Sequence, residues 1–358
     1  MLRGTVIVTT PTGPLITPPP DTEPVADGSS RLSRNDLARY ARPMMGPLAL
    51  VVIVAYFGIR YPDTFLTRTN LVTNVLEVVA FLVVVAAGQT VVMVVGEFDL
   101  SVGGVAALST AMTASFIATS TLDGQPQQPG SVFWSILLGL AIGVGCGLLN
   151  GVLVAYLGVL AFIATLGMAQ VFTSLANRRV DGKPVFGLVE HNFVDVARGD
   201  LLGVSNKIWI SMTFAAVIWL LLDRTTVGRR MYAVGGNDRA AYLSGINGRR
   251  VRLAAFAIAG FAAAFGGILQ AATTATANTS APQPWMLQSI AGVFLGMAMF
   301  RSGRPNLPGT VLGVVLLRTL DNGLNFTDLN DYVQNAISGA AIVVAVLPPA
   351  LARLRAAR

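Results

Sequence analysis

Two carboxylates and a hydroxyl group, Glu97, Asp99 and Ser101, lie close together within the otherwise apolar stretch VVGEFDLSVGG. An ionisable side chain among apolar neighbours is a candidate for binding a proton, an ion or a substrate, because its desolvation is costly. The glycines and the Asp-x-Ser spacing indicate that one helix ends here and another begins, with Asp99 or Ser101 as the cap of the second helix. The alternative is that Glu97 is simply a solvated residue at the edge of the apolar region.

The other residue types that perform chemistry form no recognisable site. Cys146 and His191 are the only cysteine and the only histidine, so the sequence has no Cys/His set for a metal. It also has no nucleophile elbow and no carboxylates paired for acid–base catalysis, and we expect no catalytic residue. A Gly-x-x-x-x-Gly-Lys-Ser/Thr loop is missing, so we expect this chain to bind no cofactor, neither ATP nor magnesium.

Glycines recur every four residues in one apolar run, at Gly139, Gly143, Gly147 and Gly151. A phosphate-binding loop would need a strand before the glycines, and none is indicated here. Small residues at this spacing let two helices approach closely inside a membrane. The pattern therefore predicts a helix–helix contact.

A second polar stretch, GGNDRAAYLSGI at 235–246, which we call the island, has the signals of a short helix. Asn237 is a favourable N-cap, Asp238 places negative charge at the positive end of the helix dipole, and Gly245 suits a left-handed termination. A helix of two turns is marginal alone and needs a surface to pack against, either the membrane, the protein itself or a partner protein. Its apolar side consists of Ala240, Leu243 and Ile246.

The composition shows what surrounds these stretches. Of 358 residues, 53% are hydrophobic and only 12% are charged, against roughly 25% charged in a typical soluble domain. The net charge is +7, but the basic residues lie between apolar runs and form no stripe along one face, which argues against nucleic acid as a partner. The chain is therefore expected to be embedded in membrane lipid.

Uncharged or nearly uncharged runs long enough to cross a bilayer predict about ten helical spans. They are 43–59, 71–96, 100–122, 132–156, 159–177, 208–222, two within 253–300, 308–320 and 332–352. The expected fold is thus an all-α polytopic membrane protein with a helix broken near 96–101. We expect one transmembrane domain at 43–352, which includes a loop at 223–252, a disordered tail at 1–42 and a short tail at 353–358.

The Lys and Arg residues orient these spans, because cytoplasmic loops accumulate positive charge. With both termini inside, seventeen of the 25 basic residues fall in cytoplasmic segments and seven in outer ones. Nine or eleven spans would spoil this bias. The loop at 223–252 is therefore expected to face the cytoplasm.

The island and three further blocks resemble ribose-type permeases, the membrane subunits of ATP-binding cassette sugar importers. The island block is GGNDRAAYLSGINGRRVRLAAF at 235–256, and GEFDLSVGGVAAL at 96–108 is similar to the family's Gly-Gly-Ile-Asp-Leu-Ser-Val-Gly signature. The other two are GLLNGVLVAYLGVLAFIATLGM at 147–168 and DNGLNFTDLNDYVQNAISGAAIVV at 321–344. The resemblance covers nearly the whole chain, from about 47 to 347.

The resemblance implies that the helix at 237–244 sits in a groove of a separate ATPase subunit, which binds ATP and magnesium and moves the membrane helices. It also implies an extracytoplasmic sugar-binding protein, a second permease chain that is either identical or a homologue, and a location in the bacterial inner membrane. The expected coupling residues are Gly235, Gly236, Asn237, Asp238, Ala240, Ala241, Leu243, Ser244, Gly245 and Ile246. The expected path-lining residues are Glu97, Asp99, Ser101, Phe162, Thr165, Asn322 and Asn325.

The sequence departs from the family at several points. Glu97 stands where the second glycine of the signature is usual, Arg239 where a second acid is usual, and Ala161 where proline is common. The scarcity of charge at mid-span suits an uncharged solute, a monosaccharide or polyol, since an ionic one needs a counter-charge. The alternatives are a branched-chain amino acid permease of the same superfamily, or a channel or secondary carrier that works without an ATPase.

Overall fold

The computed structural model describes residues 34–343 except 121, 123, 126, 189–190, 300–302, 331, 335 and 342. Its first helices are α1 (Arg34–Arg60), α2 (Pro62–Phe65), a π-helical segment (Asn70–Leu76) that continues as α3 (Glu77–Val94), α4 (Val102–Ile117), α5 (Val132–Ala155) and α6 (Ala161–Arg179). They are followed by α7 (His191–Arg198), α8 (Asn206–Arg224), α9 (Thr226–Gly236), α10 (Asp238–Leu243), α11 (Gly248–Thr274), α12 (Trp285–Met299) and α13 (Leu307–Leu324). Strands β1 (Asp200–Leu201) and β2 (Val204–Ser205) form a small antiparallel hairpin, which departs from the all-α prediction.

The apolar runs of the sequence coincide with these helices. Four helices of the described residues are long and apolar enough to cross a membrane, namely 70–94, α5, α8 and α11. The apolar helices α4 and α12 are shorter, with 16 and 15 residues. The last predicted run, 332–352, is helical where it is described up to 343, and the rest of it lies outside the described residues.

Two boundaries from the sequence need correction. Helix α1 begins at Arg34, so residues 34–42 of the predicted disordered tail are helical, because an uncharged run measures the apolar length of a helix and not its charged ends. The loop at 223–252 consists largely of helices, since α9 and the first turn of α11 fall within it. The predicted tails at 1–33 and 353–358 lie outside the described residues.

Helix α3 forms the centre of the bundle. It contacts α8, α11, α12 and α13, and from Val79 to Val94 nearly every side chain is buried. A helix that is apolar on all sides is suited to this central position. The other helices therefore pack around α3 and around the break that follows it.

The glycine spacing in α5 does bring two helices close together. A Cβ at Gly143 would overlap Ala264 of α11, and a Cβ at Gly147 would overlap the carbonyl of Phe256. Gly260 of α11 meets the α5 backbone in the same way. The predicted helix–helix contact is confirmed.

The connections between helices gather at two ends of the bundle. At one end, which we call the hairpin end, Arg68 donates to the carbonyl of Gly203 at 2.8 Å, and Thr119 donates through its backbone to Gly187 at 3.2 Å. At the other, the island end, the Tyr232 hydroxyl donates to the carbonyl of Pro305 at 2.9 Å. The long helices between 70 and 324 run alternately from one end to the other.

Candidate functional site

The island contains the short helix that its sequence predicts. The side chain of Asn237 accepts a hydrogen bond from the backbone of Ala240 at 2.9 Å and so caps α10. At the other end, Gly245 takes a left-handed φ of 79°, and the backbone of Ile246 donates to the carbonyl of Ala241 at 3.0 Å. These local contacts fix both ends of α10 without help from the rest of the protein.

One side of α10 packs on the protein and the other is uncovered. Ala241 is buried, whereas Leu243 is 79% exposed and Tyr242 is 75% exposed. Ala240 is also exposed, and Ile246 is half-buried. The apolar side expected to make the contact is thus not used for packing against the chain itself, and it forms an apolar surface at the island end.

The start of the island rests directly on the broken helix. A Cβ at Gly235 would overlap the carbonyl oxygen of Val94, the last residue of α3. Gly96, the next glycine of the break, has a left-handed φ of 86° and also faces Gly235. By contrast, Gly236 has no atom within 4 Å of the place a Cβ would take. Only glycine at 235 permits this approach, so its role is steric.

An arginine connects the island to the break by ion pairs. Arg252 Nε of α11 lies 3.0 Å from Glu97 Oε1, and its Nη2 lies 3.3 Å from Asp238 Oδ2. The side chains of Arg252 and Glu97 are only 19% and 23% exposed, and that of Asp238 is 55% exposed. One guanidinium therefore joins three elements: the 95–101 break, α10 and α11.

Glu97 is thus neither a free charge nor a simply solvated one. Its burial raises the pKa of the carboxyl above its ordinary value, Arg252 opposes this shift, and the negative charge of Asp238 adds to it. Both interpretations of Glu97 from the sequence missed the partner, which lies 155 positions further along the chain. Because Glu97 lies at the island end, the structure favours a position at the edge of the apolar region rather than in its middle.

Asp99 and Ser101 belong to a buried polar network. Asp99 Oδ1 accepts from the backbone and the hydroxyl of Ser101, at 2.8 and 2.6 Å. Asn150 of α5 donates to the Ser101 hydroxyl at 2.7 Å. Neither side chain caps α4, because the Ser101 hydroxyl and the Asp99 carboxylate bond to each other. The prediction that Asp99 or Ser101 caps the second helix is therefore wrong. The network instead fastens the break to α5.

A second contact fastens the break to α6. The backbone of Leu100 donates to the hydroxyl of Thr165 at 3.0 Å, and that hydroxyl donates to the carbonyl of Ala161 at 2.7 Å. Thr165 is fully buried, whereas Phe162, one turn earlier, is 58% exposed. Of the expected path residues, Glu97, Asp99, Ser101 and Thr165 are therefore brought together at the island end, and Phe162 lies beside them facing outwards.

Asn322 and Asn325 do not join this group. At the hairpin end, the buried side-chain amides of Asn70 and Asn322 each donate a hydrogen bond to the oxygen of the other, at 2.9 and 3.0 Å. Asn325 is exposed at the end of α13. The helix 70–94 has 25 residues, so Asn70 lies roughly 35 Å from the break at its other end. The amide pair joins two helices, so these asparagines lie apart from Glu97, and their expected place on the path stays a prediction.

Sequence reasoning missed Arg252 and Asn150 as members of the site. Asn150 carried a signal, because it is a lone amide within the apolar run 132–156. Arg252 carried none, since it is one of seven arginines in the loop at 223–252 and only the fold selects it.

These features define the class of protein. Apolar helices run alternately between two ends, and a short helix with an uncovered apolar side lies beyond them next to a broken central helix. That is the architecture of a polytopic integral membrane protein.

The chain belongs to the family described as branched-chain amino acid transport system / permease component, whose model matches residues 71–346. It is 34% identical to the ribose import permease protein of Bacillus subtilis strain 168 over 328 residues, covering 91% of this chain and 97% of the relative. It is 32% identical to the D-allose transport system permease protein of Escherichia coli K12, covering 83% and 88%. No solved structure matches the chain.

The galactose/methyl galactoside import permease protein of Haemophilus influenzae is similar too, at 32% identity over 83% of this chain and 91% of the relative. The family match over residues 71–346 spans both the break and the island. The chain is therefore a membrane permease component of a transport system.

Proposed function

We propose that this chain is the membrane-spanning subunit of an ATP-driven importer of a neutral monosaccharide or polyol. A separate ATPase subunit docks on α10, and an extracytoplasmic sugar-binding protein docks at the hairpin end. The observation that carries the proposal is the uncovered apolar side of α10, above all Leu243 at 79% exposure. The sequence has no phosphate loop of its own, so the energy has to come from a partner.

We propose ten crossings with both termini in the cytoplasm of a bacterium, in its inner membrane. Two independent observations support this topology. The basic residues concentrate on the side of the island, and the connections of the described helices alternate between the two ends of the bundle. The island end then faces the cytoplasm, and the cytoplasm is where an ATPase subunit has access to ATP.

The docking of α10 follows a known mode of recognition, in which the apolar side of a helix lies in a groove of the partner. Leu243 and Tyr242 supply the apolar surface, and the small side chain of Ala240 allows the partner to approach α10 closely. Arg239 of α10 is exposed and available for charge complementarity with the partner. Because both ends of α10 are capped locally, the helix is ordered before it binds and loses little conformational freedom on docking.

An uncharged sugar is the substrate class that we propose. The relatives named above are called permeases for ribose, allose and galactose. Two carboxylates near the spans are ion-paired, Glu97 with Arg252 and Glu77 with Lys207 at 2.5 Å, whereas the buried Asp99 accepts hydrogen bonds from Ser101. Neither Glu97 nor Glu77 is therefore free to act as the counter-charge of an ionic amino acid.

A second permease chain, identical or homologous, is expected to complete the path. Helices α5 and α6 carry many exposed apolar side chains, among them Trp134, Leu149, Phe162 and Ile163. A surface of this kind suits either lipid or another permease chain. Phe162 and Thr165 lie on α6, which would line the path between the two chains.

The test is transport by a reconstituted complex. Proteoliposomes that contain this chain, its ATPase subunit and its binding protein are loaded with ATP, and uptake of labelled D-ribose, D-allose, D-galactose and L-leucine is compared. We expect ATP-dependent uptake of one of the sugars. Uptake of leucine alone would support the amino acid alternative, and uptake by this chain alone under a pH gradient would support a secondary carrier.

A further inference from the structure

We propose that Arg252 is the positioning residue that transmits movement of the docked helix α10 to the broken helix, through the linked ion pairs Asp238–Arg252–Glu97. This inference rests on the proposed function, since it concerns how the ATPase subunit moves the membrane part. It adds a role for three charged side chains that the family signature does not contain as a set, because Glu97 stands where glycine is usual.

The first step is the geometry of the guanidinium. Arg252 contacts Asp238 of α10 through Nη2 at 3.3 Å and Nη1 at 3.4 Å, and it contacts Glu97 through Nε at 3.0 Å. The positive charge of a guanidinium is spread over three nitrogens, so one side chain can pair with two carboxylates at the same time, here through a hydrogen bond from Nη1 to Asp238 and an electrostatic contact of Nε with Glu97. A lysine ammonium at this position would be a single point charge.

The second step is that the helix that carries Arg252 is tightly packed. Arg252 belongs to α11, whose Gly260 packs against the α5 backbone so closely that no side chain fits between them. The side chain of Arg252 is only 19% exposed, so its charges are poorly screened by water. Screening weakens exposed ion pairs most, so the Arg252–Glu97 pair is less affected than most surface pairs, whereas the Arg252–Asp238 pair, with Asp238 55% exposed, is screened more.

The third step is the direction of the force. Gly235 already touches Val94 backbone to backbone, and such a contact resists compression but not separation. An ion pair resists separation. The Arg252 pairs therefore let α10 pull the break as well as push it, which a transport cycle with alternate inward and outward movements requires.

The fourth step is what lies beyond the break. The 95–101 segment is fastened to α5 through Ser101 and Asn150, and to α6 through Leu100 and Thr165. A displacement of Glu97 is thereby passed to the two helices on which we expect the path and the second chain. The contacts form one continuous chain of packed and bonded groups from α10 to α6.

A double-mutant cycle tests the proposal. The variants are Glu97→Gln, Arg252→Gln and both together, and Arg249→Gln is the matched control, an exposed arginine one turn away on the same helix. The complex with the ATPase subunit and binding protein is reconstituted in proteoliposomes, and ATP hydrolysis is measured with and without the sugar-loaded binding protein. Assembly is checked by size-exclusion chromatography.

We expect each single variant to lower the ratio of stimulated to basal hydrolysis about five- to tenfold, within the usual range for coupled charged residues in contact. The double variant should be no worse than Arg252→Gln, and Arg249→Gln should resemble the wild type. Arg252→Lys should fall between, since it keeps the charge but holds only one acid at a time.

Ratios within twofold of the wild type for both single variants, or strictly additive losses, would overturn the proposal. If Arg252→Gln fails to assemble, Glu97→Gln and Asp238→Asn with their double variant form the cycle instead. Failure of the proposed function is distinguishable, because then the wild-type complex itself shows no ATP-driven uptake.

Discussion

Leu243→Asp is the substitution that most directly probes the exposed side of α10. Full burial of a leucine side chain contributes about 1.5–3 kcal/mol. Leu243 is 79% exposed in the chain alone, so docking can gain roughly 1.2–2.4 kcal/mol from this residue. We therefore expect the affinity for the ATPase subunit to fall at least about 8- to 60-fold, and further because a carboxylate would enter an apolar groove.

The assay is a binding titration of the ATPase subunit against the chain in nanodiscs. Leu202→Asp is the matched control, because Leu202 is 86% exposed but lies in the turn between β1 and β2, separated from α10 by the length of α8. Asp also tolerates the positive φ of 56° at this position. Affinity of Leu243→Asp within twofold of the wild type would refute the proposed docking.

Three further predictions concern packing, the hairpin end and pH. Gly147→Leu should destabilise the bundle by about 1–3 kcal/mol through overpacking against α11. Gly145→Leu should be neutral, because a Cβ at position 145 would have no atom within 4 Å. Thermal unfolding in detergent measures both, and equal effects of the two variants would contradict the contact. Asn322→Ala should cost about 1–3 kcal/mol, because two hydrogen bonds with Asn70 are lost at about 0.5–1.5 kcal/mol each, although Asn70 keeps its bonds with Phe65 and Asn74. The exposed Asn325→Ala should change little in the same unfolding assay, and a neutral Asn322→Ala would show that the amide pair does not contribute. Burial raises the pKa of Glu97 above 4.5, so on acidification Glu97 takes up its proton before an ordinary glutamate would. The stimulated-to-basal hydrolysis ratio of the wild type should therefore approach that of Glu97→Gln at a pH above 4.5. A constant difference between the two ratios down to that pH would contradict this.

Features that depend on neighbouring residues were predicted well. The Asn237 cap and the Gly245 termination involve residues within one or two turns, and the sequence alone located both. The apolar runs located the helices for the same reason. Helix α9 was missed, since its sequence TVGRRMYAVGG has no apolar run and reads as a basic loop.

Features that depend on distant residues were not predicted. The partner of Glu97 is Arg252, and nothing in the spacing of the charges distinguishes Arg252 from the other arginines nearby. Asn322 and Glu97 are both expected on the path, yet they lie near opposite ends of the helix 70–94. Family blocks mark shared sequence, and only the fold decides which of them meet.

The role of α10 as the docking helix can be measured directly by placing a photo-crosslinking amino acid at position 243 in the full chain and irradiating intact cells. Our account predicts a covalent product with an ATPase subunit and no labelling of a cysteine placed at 243 by a membrane-impermeant thiol reagent added outside the cells. Labelling from outside, or crosslinks to lipid alone with the ATPase subunit present, would contradict it.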